Sequence, residues 1–190
     1  MLCGIDEAGR GPLAGPLVVA GVILKEEIVG LNDSKQLSEK KREKLFDEIK
    51  EKSHYHIVFS SAKLIDKIGI SLCLKNSILE IMEKLKENCD EFLMDGNTSF
   101  GITTLQHKIK ADESVSEVSA ASILAKVSRD RYMDEISPNY TNYNFEKHKG
   151  YGTKAHVEAI KKYGRSDEHR VTFKLKALGE SKEGIQKSLF

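Results

Sequence analysis

Residues 2–24 read Leu-Cys-Gly-Ile-Asp-Glu-Ala-Gly-Arg-Gly-Pro-Leu-Ala-Gly-Pro-Leu-Val-Val-Ala-Gly-Val-Ile-Leu, and the punctuation of this stretch decides the fold class. The apolar lead-in over 2–6 predicts a short buried strand. Leu17 to Leu24 predicts a second strand, and its apolar run is continuous rather than alternating, the pattern of a strand covered on both faces. Gly11 to Pro16 supplies the turn between them. Asp6 and Glu7 close the first strand, and Arg10 stands between Gly9 and Gly11. Adjacent residues on a regular strand point to opposite faces. Asp6 and Glu7 are therefore expected to share a site only if the strand ends or bulges there, and Ala8-Gly9 is where that is expected.

Outward from this stretch, the chain alternates. Ser38 is placed as a helix N-cap, with a charged helix running to about Lys52. His54 to Ser60 predicts a third strand, and 62–68 a short helix. Leu72 to Lys86 predicts an amphipathic helix with Leu72, Ile78, Ile81, Met82 and Leu85 near helical spacing. Glu91 to Asp95 is a fourth strand stopped by Gly96-Asn97, and Leu105 to Lys110 a fifth. Helices follow over about 117–135 and 153–163. Three strands in quick succession, then strands alternating with helices, predict a mixed α/β sheet of five strands flanked by helices. The first three form an antiparallel meander, and the fourth and fifth add in parallel through crossover helices. Strands one and four then lie side by side, which makes Asp6 and Asp95 neighbours at the carboxyl ends where ligands bind.

Composition narrows the function classes. The chain has 190 residues, 39% hydrophobic and 31% charged, the profile of one globular domain. No apolar run is long enough for a membrane span, and no secretory leader is visible. Cys3, Cys73 and Cys89 have no C-x-x-C spacing, which fits a reducing cytoplasm. The net charge of +1 conceals a basic segment, Lys147 to Lys176, with nine basic residues against three acidic. It reads equally as a phosphate-backbone footprint or a solvated face.

The acidic residues carry the chemistry. Packed carboxylates repel one another unless a cation lies between them, and a hard divalent ion with oxygen ligands answers that need. Asp112, in Lys110-Ala111-Asp112-Glu113, is brought toward Asp95 if the small residues Ala120, Ala121 and Ser122 let the following helix pack closely on the sheet. Gly9-Arg10-Gly11 fits neither the dinucleotide-binding fingerprint nor a P-loop, because Pro12 follows at once and no Gly-Lys-Ser/Thr is present. What remains is a tight loop with exposed amides and one arginine beside an acidic cluster. Metal ions reconcile the two, since they reverse the local sign and let phosphate approach, as in metal-assisted phosphodiester hydrolysis. The loop 148–156 is basic and holds Tyr151 between two glycines, a setting that presents an aromatic ring to a sugar or base. His148 and His156 lack a zinc spacing, and His54 and His56 read as structural.

Taken together, these motifs resemble ribonuclease HII, the prokaryotic type 2 ribonuclease H. The matching residues are 6–16, 32–37, 93–96, 110–112, 119–126, 149–153 and 169–170. The resemblance implies a ribonuclease H-like fold in a catalytic domain of residues 1–176, with a short tail over 177–190. It implies a Mg²⁺- or Mn²⁺-dependent endonuclease acting on the RNA strand of RNA–DNA hybrids and 5′ of ribonucleotides embedded in duplex DNA. Two-metal hydrolysis would leave 3′-hydroxyl and 5′-phosphate ends. By motif match, Asp6, Glu7, Asp95 and Asp112 would be the catalytic, metal-binding carboxylates. Gly9, Arg10, Gly11 and Tyr151 would read the ribose 2′-OH, and Lys35 would contact backbone phosphate. A cytoplasmic monomer is expected, and no residue names a protein partner such as a sliding clamp. Another carboxylate-metal enzyme on the same fold is the rival reading, and a non-enzymatic hybrid binder is a weaker one because it needs no acidic cluster.

Overall fold

A computed structural model describes residues 1–31 and 37–180. Five strands, β1 (Leu2–Ala8), β2 (Leu17–Leu24), β3 (Ser53–Ser60), β4 (Glu91–Asp95) and β5 (Leu105–Lys108), form one sheet in the order β3-β2-β1-β4-β5. β1 pairs antiparallel with β2, and β2 with β3, while β4 joins β1 in parallel and β5 joins β4 in parallel. This is the expected mixed sheet. β5 stops at Lys108, where the expected strand ran to Lys110, because Lys110 has a left-handed backbone, with φ 59°.

The α-helices among the described residues are α1 (Glu39–Lys52), α2 (Ala62–Ile68), α3 (Ile70–Leu85), α4 (Ser116–Ile136), α5 (Phe145–His148) and α6 (Lys154–Tyr163). Ser38 does cap α1, its side chain accepting from the Lys41 N–H. The continuous apolar run of β2 has the predicted meaning. Leu17, Val19 and Ile23 enter a core layer with Ile78, Ile81 and Leu85 of α3. Val18, Ala20 and Val22 enter the opposite layer with α1 and α4. A third cluster, around Leu13, Met133, Tyr143, Phe145 and Ile160, joins α4, α5 and α6 to the loop after β1.

α4 is the element that positions the site. It is buried nearly all round, from Val118 to Met133, so its apolar residues follow no single stripe. Ala120 and Ala121 are fully buried, as close packing on the sheet requires. The approach is closest at Gly4 of β1, where an added Cβ would come within 2.3 Å of the α4 backbone at Glu117 and Val118. Among the described residues no helix is long and apolar enough to cross a membrane.

Candidate active site

The first correction concerns β1. The strand neither ends nor bulges at Asp6. It continues in register with β2 through Glu7↔Val19 and Ala8↔Val18. Asp6 therefore shares the α4 face with Gly4, and Glu7 shares the α3 face with Cys3 and Ile5. The two acids meet for another reason. The last β1–β4 pair is Ile5↔Met94, so Asp6 and Asp95 follow it side by side. Glu7 lies beyond the end of β4, so on that side no strand separates the two faces. Its carboxylate acts electrostatically on both Asp6 and Asp95.

Asp112 comes from a 3₁₀ turn, Ala111–Glu113, that precedes α4. The Ala111 N–H donates to Asp95 Oδ1 at 2.7 Å and ties this turn to the end of β4. Asp112 is only 2% exposed and acts on Asp6. The sheet, the strand overshoot and the turn thus bring Asp6, Glu7, Asp95 and Asp112 together.

Burial pushes the Asp6 carboxyl well above the ordinary carboxylate range, and the negative charges of Glu7, Asp95 and Asp112 push the same way against a 2.8 Å hydrogen bond from the Glu7 N–H. Burial also raises Glu7, opposed by Arg10, whose guanidinium lies 3.4 Å away. Glu7 Oε2 is buried with no hydrogen-bond partner. An orphaned acceptor among like charges is the local chemistry a cation relieves. Among the described residues no group of three or more His, Cys, Asp or Glu side chains is placed to hold a metal ion by itself. Mg²⁺ is held by one or two carboxylates together with waters and substrate phosphate, so an open acidic cluster fits it.

Beside the acids lies a cavity of about 430 Å³, lined by Glu7, Gly9, Arg10, Gly11, Tyr151 and, on the helical wall, Arg42, Ser122 and Lys126. Arg10 and Tyr151 are both solvent-exposed there. The Tyr151 ring has the Arg129 guanidinium 5.6 Å and Lys126 Nζ 5.8 Å from its centroid, within cation–π range. Arg42, and Lys126 in its 2.8 Å ion pair with Asp130, place on this wall basic side chains that no sequence signal had marked as site residues. Lys126 ends the 119–126 motif, and Arg42 is one basic residue among many in the charged helix α1, where none stands out.

Two further arginines, both fully buried, hold the loop after β1. Arg129 donates to the carbonyls of Pro16, Lys149 and Ala14 at 2.9, 2.9 and 3.0 Å. Arg170 donates twice to Gly15 O, at 3.0 and 2.9 Å, and to Arg10 O at 3.2 Å. Gly9, with φ 97°, leaves room for the first of these, since a Cβ there would lie 2.4 Å from Arg129 Nε. Burial and the Arg129 charge pull the Arg170 guanidinium down to about 9, still cationic at neutral pH. Arg170 thus belongs to the scaffold, and Arg165 is tied to the carbonyls of Arg170 and Phe173 and to Glu180. The segment 147–176 is therefore not the uniform basic face that its charge count suggested. Lys35 lies outside the described residues.

The comparisons agree with one another. A family model described as ribonuclease HII matches residues 3–176. A ribonuclease HII of Aliarcobacter butzleri is 79% identical over 189 residues, covering 100% of this chain and 98% of that protein. One from Sulfurovum sp. is 56% identical, covering 94% of each. A solved PCNA:ribonuclease HII complex from Archaeoglobus fulgidus contains a chain that superposes with a TM-score of 0.80 at 30% identity, covering 92% of this chain and 96% of that one.

Proposed function

The chain belongs to the ribonuclease HII family and is thereby a metal-dependent ribonuclease H endonuclease, and from that premise we propose that it nicks duplex DNA 5′ of embedded ribonucleotides as well as cutting the RNA strand of hybrids. The observation that carries the proposal is the juxtaposition of four carboxylates, one with an orphaned oxygen, with a cavity lined by Gly9, Arg10, Gly11 and Tyr151. Asp6, Glu7, Asp95 and Asp112 would hold a pair of Mg²⁺ or Mn²⁺ ions. When bound, such ions supply an activated water and charge stabilisation at the attacking and leaving oxygens.

The remaining work falls to the chain itself. Arg10 and the amides of Gly9 and Gly11 receive the sugar-phosphate backbone beside the acids. They sit where a ribose 2′-OH can be distinguished from hydrogen. Tyr151 offers a face for stacking at the same position. Arg42 and Lys126 face phosphate along the helical wall, and Lys35 is retained as a further phosphate contact. We take residues 1–176 as the catalytic unit and the protein as a cytoplasmic monomer.

Cleavage of a duplex with a single ribonucleotide, assayed in Mg²⁺, Mn²⁺ and EDTA beside Asp95→Asn, tests the reading. A metal-dependent nick 5′ of the ribonucleotide, lost in the variant and absent from all-DNA duplex, is expected. Cleavage unaffected by Asp95→Asn would overturn the site assignment. Because the Archaeoglobus relative was solved with PCNA, the proposal extends to a sliding clamp as partner, anchored by the apolar residues Ile185, Leu189 and Phe190 around Gln186 in the tail 177–190. Deleting residues 184–190 is expected to abolish capture by the clamp without changing cleavage of naked duplex. Undiminished capture by the deleted protein would exclude the tail as anchor.

A further inference from the structure

Three imidazoles that the acidic site does not use lie together behind Tyr151. His148 and His156 stack with ring centroids 4.3 Å apart, and His156 Nε2 faces His169 Nε2 at 3.0 Å. His156 and His169 are buried, and Phe145 packs against both rings while Tyr143 packs against His169.

The neighbours determine where each proton sits. His156 Nδ1 lies 2.9 Å from the Tyr151 carbonyl, which can only accept, so Nδ1 carries the proton and donates. In the neutral ring His156 Nε2 must then accept, so His169 Nε2 carries a proton and donates across the 3.0 Å gap. His169 Nδ1 is left to accept, and it does so from the Ser166 N–H at 2.8 Å. His148 follows the same logic, donating from Nε2 to Tyr143 O at 2.8 Å and accepting on Nδ1 from the Gly150 N–H at 3.2 Å. The result is a one-way chain of donors from the Ser166 amide through two neutral imidazoles to the carbonyl of Tyr151. The charges acting on the buried pair are those of Arg165 and of His148 when protonated. Both favour neutral rings.

The far end of this chain is tied to the other wall of the cavity. His169 forms a β-bridge with Ala14, and the Gly15 N–H donates to Glu168 O at 2.8 Å. The next residue, Arg170, donates to Gly15 O and Arg10 O. Resting on the assignment of Tyr151 as a substrate contact, we infer that His156 and His169 are positioning residues: their paired neutral imidazoles fix the Tyr151 loop at a set distance from the Gly9-Arg10-Gly11 loop, and so govern recognition of the ribonucleotide rather than the hydrolytic step.

The test combines a structural and a kinetic readout. Long-range ¹H–¹⁵N NMR of the wild-type imidazoles is expected to report His156 protonated at Nδ1 and His169 at Nε2, both neutral at pH 6. A proton on His156 Nε2, or titration of either ring near 6.5, would overturn the relay. Kinetically, His156→Leu removes the donor to Tyr151 O. It is expected to raise KM for the single-ribonucleotide duplex about threefold to tenfold, the range of one hydrogen bond, with kcat within about twofold. His156→Asn retains a donor near the Nδ1 position and is expected to restore most of the KM. Equal loss of kcat in both variants would reduce the pair to simple core and overturn the inference. An unchanged KM in Tyr151→Ala would instead refute the role of Tyr151. The two failures are separable, because the imidazole signals of the wild-type protein would then remain as predicted.

Discussion

At the residue scale, the site is defined by side chains held against their own preferences. The Asp6 carboxyl is raised by burial and by three neighbouring acids. An acid whose folded-state pKa lies above its unfolded value destabilises the fold at neutral pH and is relieved on acidification. Asp6→Asn is therefore expected to raise the Tm of the metal-free protein and to abolish the upward Tm shift that Mg²⁺ or Mn²⁺ gives the wild type, read by thermal denaturation with and without EDTA. Arg170 illustrates the opposite case, a charge without a carboxylate, satisfied by two carbonyls. Arg170→Met leaves those carbonyls without their donor. A loss of about 2–4 kcal/mol is expected in urea denaturation, along with weaker substrate binding. Asp6, Glu7 and Asp95 stood out in the sequence as carboxylates at strand ends, whereas Asp112, in a turn, entered through its motif match. The two buried arginines did not stand out. A lone arginine in a helix or loop reads as exposed, and only the folded path of residues 14–16 reveals the carbonyls that it serves.

Among the elements, the strands and long helices followed local pattern closely. The unbroken apolar run of β2, the Ser38 cap and the Gly96 stop each have a local physical cause, and each was readable. The region 137–148 was not, because it is built from a short 3₁₀ turn, an Asn144 with positive φ and a four-residue helix. None of these has a repeat long enough to register as a period. The histidine pair was equally hidden, since the two lie 13 positions apart, His156 on α6 and His169 beyond it at the bridge to Ala14. The meeting of Asp6 and Glu7 was anticipated, but for the wrong reason: the strand overshoots its neighbour instead of breaking. The junction of β1 with α4 is the least tolerant part of this architecture. Gly4→Ala would drive a methyl to 2.3 Å from the α4 backbone, and neither element can yield without moving Asp6 or Asp112. A destabilisation of about 3 kcal/mol or more is expected by chemical denaturation, with cleavage lost more steeply than stability.

For the whole molecule, opposing titrations set the response to acid. Burial holds His156 and His169 down to about 4 against an ordinary 6.5. As pH falls from 6.5 toward 4 the unfolded chain takes up protons that the folded rings refuse, so this contribution to stability is progressively lost. Asp6 and Glu7 change in the reverse sense, gaining stability as they protonate. Tm measured against pH in EDTA is thus expected to fall less steeply for His156→Asn than for the wild type, while Asp6→Asn should steepen the fall. Finally, the clamp of Arg170 on Gly15 and Arg10 joins residues 155 and 160 positions apart. The loop that follows β1 therefore gains this tie only from a residue made much later in the chain, and Gly15 and Arg10 stay without it until residue 170 is available to fold. A fragment ending short of residue 170 carries Asp6, Glu7, Asp95 and Asp112 but lacks this tie, and with every acid in place it is still expected to cut poorly.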